Sequence, residues 1–373
     1  MHVHPINSAS RSERKRCETQ INLLIWHMSE HRLRFGIISA AGIAEKVVAV
    51  MNSSKHATPV CVGARDVEKA KAFASRHKIP RAYGSYDEVI ADREVDAVYI
   101  PVPTALRLEW VIKAAQAKKH VLAEKPFASA DEVKKMRQVC NENGVHFMDN
   151  TMHLHHLRTR YVEDNYLNSG DFELNRVNNT FSWCLTTDYP NNVRFNTKLE
   201  PLGALGDLGW YCIRNILWAF RYQLPTSVVA VGEIDEKTKA VMQTSCVLLF
   251  KDNKSASFNV SFRDVVRQHT ELVSSNSVIR YDGFVVPFEN EPHIWKRDQY
   301  NNKAELTVSN DTGVAKKIVI DECDQVLNLF EQFAKDAKDV ANGQRWGEES
   351  LKASLVMDAV FKSLSENGSL VAL

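Results

Sequence analysis

The sequence predicts a protein of two domains. The first is an α/β Rossmann domain with a doubly wound parallel sheet, and the second is an α+β C-terminal domain with a large, mostly antiparallel open sheet. From Leu33 onwards, short apolar runs alternate with helical patterns, which is typical of a parallel sheet covered by helices. Beyond residue 150 the alternating segments become longer, which indicates antiparallel strands. We therefore predict a first domain at 34–150 and a second domain at 151–373.

The elements of the first domain follow from the spacing of its apolar residues. Its predicted strands are Phe35–Ser39, Val60–Gly63, Val95–Ile100, His120–Ala123 and Val145–Met148. Its predicted helices are Gly42–Met51, Val67–His77, Thr104–Lys118 and Asp131–Asn143. Gly144 follows the last helix, where a left-handed glycine commonly ends a helix.

The elements of the second domain are longer and more widely spaced. Its predicted strands are Val177–Trp183, Ser227–Gly232, Thr244–Phe250 and Ser255–Phe262, and its predicted helices are Ile213–Phe220 and Ser350–Ser363. The stretches around 152–200 and 260–300 are interpreted as loops that shape a substrate pocket.

Composition limits the classes of function. A chain of 373 residues with 44% hydrophobic and 25% charged content is globular. Lys+Arg 47 against Asp+Glu 46 leaves almost no net charge, which argues against nucleic acid or a membrane surface as a partner. The seven cysteines are scattered without a Cys-x-x-Cys motif, so we expect a reducing compartment, the cytoplasm, and a small-molecule substrate.

Residues 1–33 differ from the rest of the chain. They contain a basic stretch at Arg11–Arg16 and an apolar one at Ile21–Met28, with no cleavage signature of a secretory signal. We expect a disordered extension, and Met28 is a candidate start of the functional protein. A transit peptide is the competing interpretation.

Glu124-Lys125-Pro126 is the most informative motif, because it follows a predicted buried strand. Ligands of open α/β sheets bind at the carboxyl ends of the strands. The proline disfavours helix at Lys125, so the ammonium group is presented at that edge as a candidate proton donor. A surface lysine before a turn is the alternative interpretation.

The turn after the first strand is a candidate phosphate site. Ser39, Ala41 and Ala44 occupy the glycine positions of the dinucleotide-binding motif, with Gly42 and Ile43 between them. Small residues still permit close approach of phosphate to the helix N-terminus. Ordinary tight packing of strand against helix is the alternative.

The end of the second strand indicates which cofactor is preferred. Ala64 stands where NAD-binding proteins carry an acidic residue, and Arg65 follows it. An arginine here accommodates the 2′-phosphate of NADP. We predict NADP, with NAD as the alternative, and interpret Asp66 as a helix cap.

A glycine-rich segment supplies two further catalytic candidates. Gly203, Gly206 and Gly209 recur every third residue, which permits close backbone approach. Asp207 and Tyr211 are four residues apart and share one face of a helix, a suitable pair for binding and deprotonating a hydroxyl. The alternative is a capping aspartate and a buried tyrosine.

Four more residues are candidate substrate contacts: His155, Arg158, Arg194 and Trp183. We expect no metal, because His153, His155 and His156 have no acidic partner at ligand spacing. Trp183 and Trp210 are candidates for an apolar wall against a sugar ring, although core packing is the commoner role.

Together these motifs resemble the glucose–fructose oxidoreductase/inositol dehydrogenase (Gfo/Idh/MocA) family over residues 33–373. The resemblance includes the segment Ile100–Thr104 and the segment Gly206–Tyr211. It is nearest to uncharacterised plant and other eukaryotic members, and a tyrosine at position 211 is also similar to dimeric dihydrodiol and D-xylose dehydrogenases. Two features depart from the family pattern: the phosphate turn lacks its glycines, and Arg107 replaces a histidine.

The resemblance implies a homodimeric, NAD(P)-linked oxidoreductase acting on a sugar, polyol or cyclic diol. It implies that the domain at 34–150 binds NAD(P), and that the domain at 151–373 binds substrate, forms the dimer and packs its C-terminal helices back toward the first domain. It implies that Lys125 hydrogen-bonds the reacting oxygen, Tyr211 exchanges the proton and Asp207 orients the substrate or Lys125. It further implies cofactor contacts from Pro101, Pro103, Thr104, Glu124, Lys125 and Pro126. A non-catalytic NADP-binding regulator and a lyase or glycosidase with a retained cofactor are the alternatives.

Overall fold

A computed structural model of the chain describes residues 32–185, 189–287 and 303–373. The predicted N-terminal extension, except its last two residues, lies outside these ranges. Within the described part of the chain, no helix is both long and apolar enough to span a membrane.

The first domain is built on a parallel sheet. Its strands are β1 Leu33–Ile38, β2 Ala57–Gly63, β3 Arg81–Tyr83, β4 Ala97–Ile100, β5 His120–Ala123 and β6 Phe147–Asp149, in the order β3-β2-β1-β4-β5-β6. Its helices are α1 Gly42–Ser53, α2 Val67–His77, α3 Tyr86–Ala91, α4 Arg107–Gln116 and α5 Ala130–Asn143. The strand order reverses beside β1, so that β1 and β4 flank the crevice in which such sheets bind ligands.

Local chemistry sets the ends of these helices. The Asp66 side chain accepts a hydrogen bond from the backbone of Glu68 and caps α2, and Gly144 ends α5 with a φ of 67°. The short elements β3 and α3 were missing from the sequence prediction, because three and six residues are too few to show a period. Thr104–Leu106 forms a separate 3-10 turn before α4.

The second domain is built on a larger sheet. Its strands are β7 Leu174–Ser182, β8 Ser227–Ile234, β9 Val241–Leu249, β10 Ser255–Ser261, β11 Arg267–Ser274, β12 Ser277–Asp282, β13 Ala304–Asn310, β14 Ala315–Ile320 and β15 Val371–Ala372. They follow the order β14-β13-β12-β11-β7-β10-β9-β8-β15, with β7 and β10 parallel and the other neighbours antiparallel. The mostly antiparallel sheet is confirmed. The loop predicted at 260–300 was wrong in part, because β11 and β12 lie there.

The helices of the second domain cover one face of this sheet and reach the first domain. They are α6 Leu157–Val162, α7 Trp210–Ala219, α8 Gln325–Lys338 and α9 Val340–Ser365. The backbone N–H of Ala130 donates to Asp358 Oδ2 of α9 at 2.8 Å. The site described next lies where the two domains meet.

Candidate active site

A cleft of about 350 Å³ lies at the carboxyl edge of the parallel sheet, between the two domains. Both domains supply residues to its wall, and most of the predicted site residues are among them. The residues that line the cleft include Gly42, Lys46, Pro101, Pro103, Arg107, Glu124, Lys125, Asn150, Arg194, Glu200, Asp207 and Tyr211.

Lys125 and Asp207 are paired at the centre of the cleft. Lys125 Nζ donates to Asp207 Oδ1 at 2.8 Å and to the backbone carbonyl oxygen of Asp207 at 2.9 Å. Lys125 comes from the end of β5, and Asp207 from a π-helical turn at 205–209 that leads into α7. The two residues are far apart in sequence, so the ion pair joins the Rossmann domain to the second domain.

Arg194 holds the other oxygen of the same carboxylate. Its Nε donates to Asp207 Oδ2 at 2.6 Å. Burial opposes ionisation of Asp207, but the charges of Arg194 and Lys125 outweigh it and hold the pKa of the carboxyl well below its ordinary value. Asp207 is therefore an anion at physiological pH.

Tyr211 lies against the same lysine. Lys125 Nζ lies 4.5 Å from the centre of the Tyr211 ring, a cation–π distance. The ring also packs edge-on against His153 and Phe181, and the residue is buried at 4% exposure. Packing thus fixes the ring, while the residue still lines the cleft.

The glycines of the 203–209 segment allow this arrangement. A Cβ on Gly206 would lie 3.2 Å from Pro126 Cγ and 2.8 Å from Leu202 Cβ. A Cβ on Gly203, which has a φ of 50°, would lie 2.5 Å from the carbonyl oxygen of Val241. Glycine lets the segment approach the Lys125–Pro126 turn closely enough for Asp207 to reach Lys125.

In the phosphate turn, Ser39 adopts a backbone conformation that usually requires glycine. Ser39 has a φ of 108°, in the region that side chains other than glycine rarely adopt. Its backbone N–H donates to the carbonyl of Gly63 at 3.0 Å. A Cβ on Gly42, the first residue of α1, would meet nothing within 4 Å. Space and the unpaired N–H groups of a helix N-terminus are therefore both present, as phosphate binding requires.

The predicted NADP-selective position is open to solvent. Ala64 is buried, and its backbone N–H donates to the carbonyl of Tyr83. Arg65 is exposed, and its side chain makes no hydrogen bond or ion pair with any residue that the structure describes. A guanidinium at the end of β2 is thus available to a phosphate group.

The remaining predicted cofactor residues differ in their surroundings. Pro101, Pro103 and Glu124 line the cleft, and the Glu124 carboxylate accepts from Tyr99 and Asn150 at 2.5 Å each. The side chain of Thr104 donates to Glu200 instead, also at 2.5 Å. Thr104 therefore joins the two domains.

Two predicted substrate contacts lie outside this cleft. Arg158 is 2% exposed, and its guanidinium donates to the carbonyls of Asp282 and Gly283. His155 stacks on Trp346 in a second cavity of about 610 Å³. The chain turns away from the cleft directly after β6, which places both side chains outside it. Trp183 lies behind Arg194, whose guanidinium carbon is 5.3 Å from the Trp183 ring centre.

Four cleft residues were not recognised as site residues from the sequence. Lys46 projects from α1 toward the phosphate turn, and burial lowers its pKa. Asn150 and Glu200 make the contacts given above, and Arg107 donates to the carbonyl of Pro126. The only signal that pointed to any of them was the departure of Arg107 from the family pattern.

A separate charge cluster lies beneath the cleft and outside it. Arg214 of α7 is fully buried, and its NH2 group lies 3.4 Å from Asp149 Oδ1 and 3.2 Å from Glu349 Oε2. Ser350 Oγ donates to the same Asp149 oxygen at 2.8 Å. This cluster joins the end of β6 to α7 and α9.

Two family models match this chain. Residues 33–151 match an oxidoreductase family with an NAD-binding Rossmann fold, and residues 168–280 match the GFO/IDH/MocA C-terminal domain. Together they cover more than half of the chain and include all three residues of the Lys125–Asp207–Tyr211 group.

Individual relatives and a solved structure are also similar. D-xylose 1-dehydrogenase (NADP(+)) 2 of Haloferax volcanii is 30% identical over 345 residues, which is 91% of this chain and 100% of the relative. Trans-1,2-dihydrobenzene-1,2-diol dehydrogenase of Mus musculus is 34% identical over 226 residues, 58% of this chain and 64% of the relative. A 3-ketoreductase from Actinomadura kijaniata, solved with NADP and TDP-benzene, superposes with a TM-score of 0.77 at 22% identity, covering 90% of this chain and 98% of that chain. It shares the fold.

Proposed function

This chain belongs to the Gfo/Idh/MocA family of oxidoreductases, and we propose that it transfers a hydride between NADP and a hydroxyl-bearing carbon of a sugar, polyol or related cyclic diol. The observation that carries the proposal is the group formed by Lys125, Asp207 and Tyr211 in the cleft. Hydroxyl oxidation needs a cation near the developing oxyanion and a group that exchanges a proton. In the cleft, the cation Lys125 lies beside Tyr211, which can exchange a proton.

The residues at the sheet edge fit a dinucleotide. The phosphate groups would lie at the N-terminus of α1, beside Gly42, with Lys46 as a nearby cation. Arg65 would hold the 2′-phosphate, because bidentate guanidinium–phosphate pairs are strong and geometrically specific. Pro101, Pro103 and Glu124 would flank the part of the cofactor nearest Lys125. When bound, the cofactor accepts or donates the hydride.

The side chains perform the proton chemistry. Lys125 would hydrogen-bond the reacting oxygen and stabilise its negative charge as it develops. The Tyr211 hydroxyl would take up or release the proton. Asp207 holds Lys125 through its side chain and its backbone carbonyl, so the ammonium is positioned before the substrate arrives.

The polar groups of the cleft wall support a polyhydroxylated substrate. Asn150 at the end of the first domain and Glu200 of the second domain bring hydrogen-bonding groups to the cleft. The names of two relatives, a D-xylose dehydrogenase and a dihydrodiol dehydrogenase, favour an aldose or a cyclic diol as the first compounds to test.

The direct test is absorbance of reduced cofactor with a panel of aldoses, polyols, inositols and aromatic dihydrodiols, with Lys125→Met as the blank. We expect turnover with one compound class that is lost in the variant. Tight NADPH binding without turnover would favour a regulator. A cofactor that co-purifies and is not consumed would favour a lyase or glycosidase that oxidises its substrate transiently.

We further propose a homodimer formed through the large sheet. Its outer face exposes Val231, Val247 and Leu249 at 54%, 46% and 42%, on the side away from the helices. Light scattering of the purified protein should give twice the chain mass, and Val247→Lys should shift it toward the monomer. A monomeric wild-type protein contradicts the proposal.

A further inference from the structure

The carboxylate of Asp207 is held by two cations from different parts of the chain. Lys125 binds Oδ1 at 2.8 Å, and Arg194 binds Oδ2 at 2.6 Å. We infer that Arg194 is a positioning residue that fixes Asp207, and through it Lys125, for the reaction. The inference deepens the proposed function and rests on it.

Arg194 is itself held on several sides. It lies in a short 3-10 turn, Val193–Phe195, and its own backbone N–H donates to the Asn192 side chain that caps the turn. Phe195 is 3% exposed and packs against Tyr189 and Phe262. The guanidinium carbon lies 5.3 Å from the centre of the Trp183 ring, within cation–π range. The turn is thus anchored in the second domain, which gives Arg194 little freedom to leave Asp207.

This geometry favours positioning over substrate binding. Nε of Arg194 donates to Asp207, and the guanidinium lies over the Trp183 ring. With Oδ2 fixed, the carboxylate cannot rotate away from Lys125. A second cation also reduces the net negative charge that Lys125 meets, so the ammonium is less strongly retained by Asp207 and better able to engage the reacting oxygen.

Among the residues that the structure describes, few charged and titratable groups face Asp207. Lys125 approaches it from the end of β5, Arg194 from the 193–195 turn and Tyr211 from α7, and Glu200 acts at longer range on Arg194. Removing Arg194 leaves the buried carboxylate with one cation, and loss of a positive charge raises the pKa of a carboxyl group. The acid limb of the pH–rate profile should therefore move to higher pH.

Chemical rescue gives the sharpest test. Arg194→Ala opens a space that free guanidinium fits, at concentrations well below those that unfold proteins. We expect kcat to fall roughly 10- to 100-fold, because small misplacements of catalytic groups have effects of this size. Guanidinium should restore activity in a saturable manner, urea should not, and Arg194→Lys should retain intermediate activity.

A matched control is Arg263→Ala. Arg263 pairs with Glu233 at 2.6 Å outside the cleft, and its loss should change neither kcat nor the response to guanidinium. A raised KM with unchanged kcat in Arg194→Ala would overturn the inference and make Arg194 a substrate contact. An unshifted acid limb together with absent rescue would overturn it as well.

Crystal structures separate this inference from the proposed function. In Arg194→Ala we expect Asp207 to rotate and the Lys125 Nζ–Asp207 Oδ1 contact to lengthen, and guanidinium to restore it. This structural measurement does not require turnover, so it tests the positioning role of Arg194 even if no compound in the panel is oxidised. An unchanged Lys125–Asp207 contact in the variant would contradict the inference while leaving the proposed oxidoreductase activity intact.

Discussion

Two charge clusters in the molecule have opposite arrangements. In the cleft, one carboxylate (Asp207) is held by two cations, Lys125 and Arg194. Outside the cleft, one cation (Arg214) is held by two carboxylates, Asp149 and Glu349. The cleft side chains retain 10–29% exposure, whereas Arg214 and Asp149 retain none, and Glu349 at 15% lines the second cavity.

The difference in exposure distinguishes a cluster that can act on a ligand from a cluster that stabilises the fold. A cluster that faces a cleft can exchange partners with a ligand, and its cation is available to a reacting oxygen. In the second cluster the Arg214–Asp149 pair is fully enclosed, and loss of Arg214 would leave an uncompensated buried charge. Burial raises the pKa of Glu349 against the pull of Arg214. We expect the cleft cluster to control turnover and the Arg214 cluster to control folding.

The largest effect should come from Lys125→Met. We expect kcat to fall at least about 1,000-fold, because both the charge at the reacting oxygen and a proton-transfer partner are removed. Titration should show NADPH binding unchanged, and urea unfolding should show a small loss of stability. A variant with near-normal kcat would refute the role of Lys125.

Arg214→Met should have the opposite profile. Two buried carboxylates would lose their cation, and we expect the free energy of unfolding to fall by about 3–5 kcal/mol. Urea denaturation measures this, and kcat per folded molecule should stay near the wild-type value. Arg221→Met, which removes a half-exposed pair with Glu163, is the control and should cost less than about 1 kcal/mol. Equal losses in the two variants would contradict the comparison.

Tyr211→Phe tests the cleft more finely, because it removes one hydroxyl and keeps the ring beneath Lys125. Loss of a general acid or base predicts a fall in kcat of roughly 100-fold, seen in steady-state kinetics, with cofactor binding unchanged. The control is Tyr281→Phe, which changes a buried tyrosine that packs against Arg158 and should leave kcat unchanged. If both variants keep full activity, another group exchanges the proton.

Arg65→Ala should give the smallest effect, and it concerns binding alone. Loss of the guanidinium should weaken NADPH binding by about 10-fold, equivalent to roughly 1.4 kcal/mol, and leave NADH binding unchanged. Calorimetry on both cofactors measures the ratio, with the exposed Arg93→Ala as control. Tighter binding of NADH than of NADPH by the wild-type protein would contradict the predicted preference for NADP.

The sequence was sufficient for features that depend on local pattern. The strand that ends just before Lys125 and the four-residue spacing of Asp207 and Tyr211 were predictable, because strand edges and helical spacing follow from nearby residues. The mostly antiparallel sheet was predictable from alternation. β13 was missed although residues 304–309 alternate between apolar and polar, and β14 was missed because two consecutive lysines, Lys316 and Lys317, interrupt its pattern.

The sequence was insufficient where position depends on tertiary packing. His155 and Arg158 follow the last Rossmann strand, as cleft residues often do, yet the chain turns there and places His155 in the second cavity and Arg158 in a buried position. The second cation on Asp207 comes from a loop whose path is set by the packing of Phe195. No spacing rule relates Arg194 to Asp207 before the fold is known.

The central claim is that the Lys125–Asp207–Tyr211 cleft carries hydride transfer to NADP. The most direct measurement uses the active compound from the panel, deuterated at the carbon bearing the reacting hydroxyl, with mass spectrometry of the cofactor. We predict one deuterium in the NADPH formed by the wild-type protein and none above background with Lys125→Met. Reduced cofactor without deuterium, or equal labelling by the Lys125→Met variant, would contradict the account.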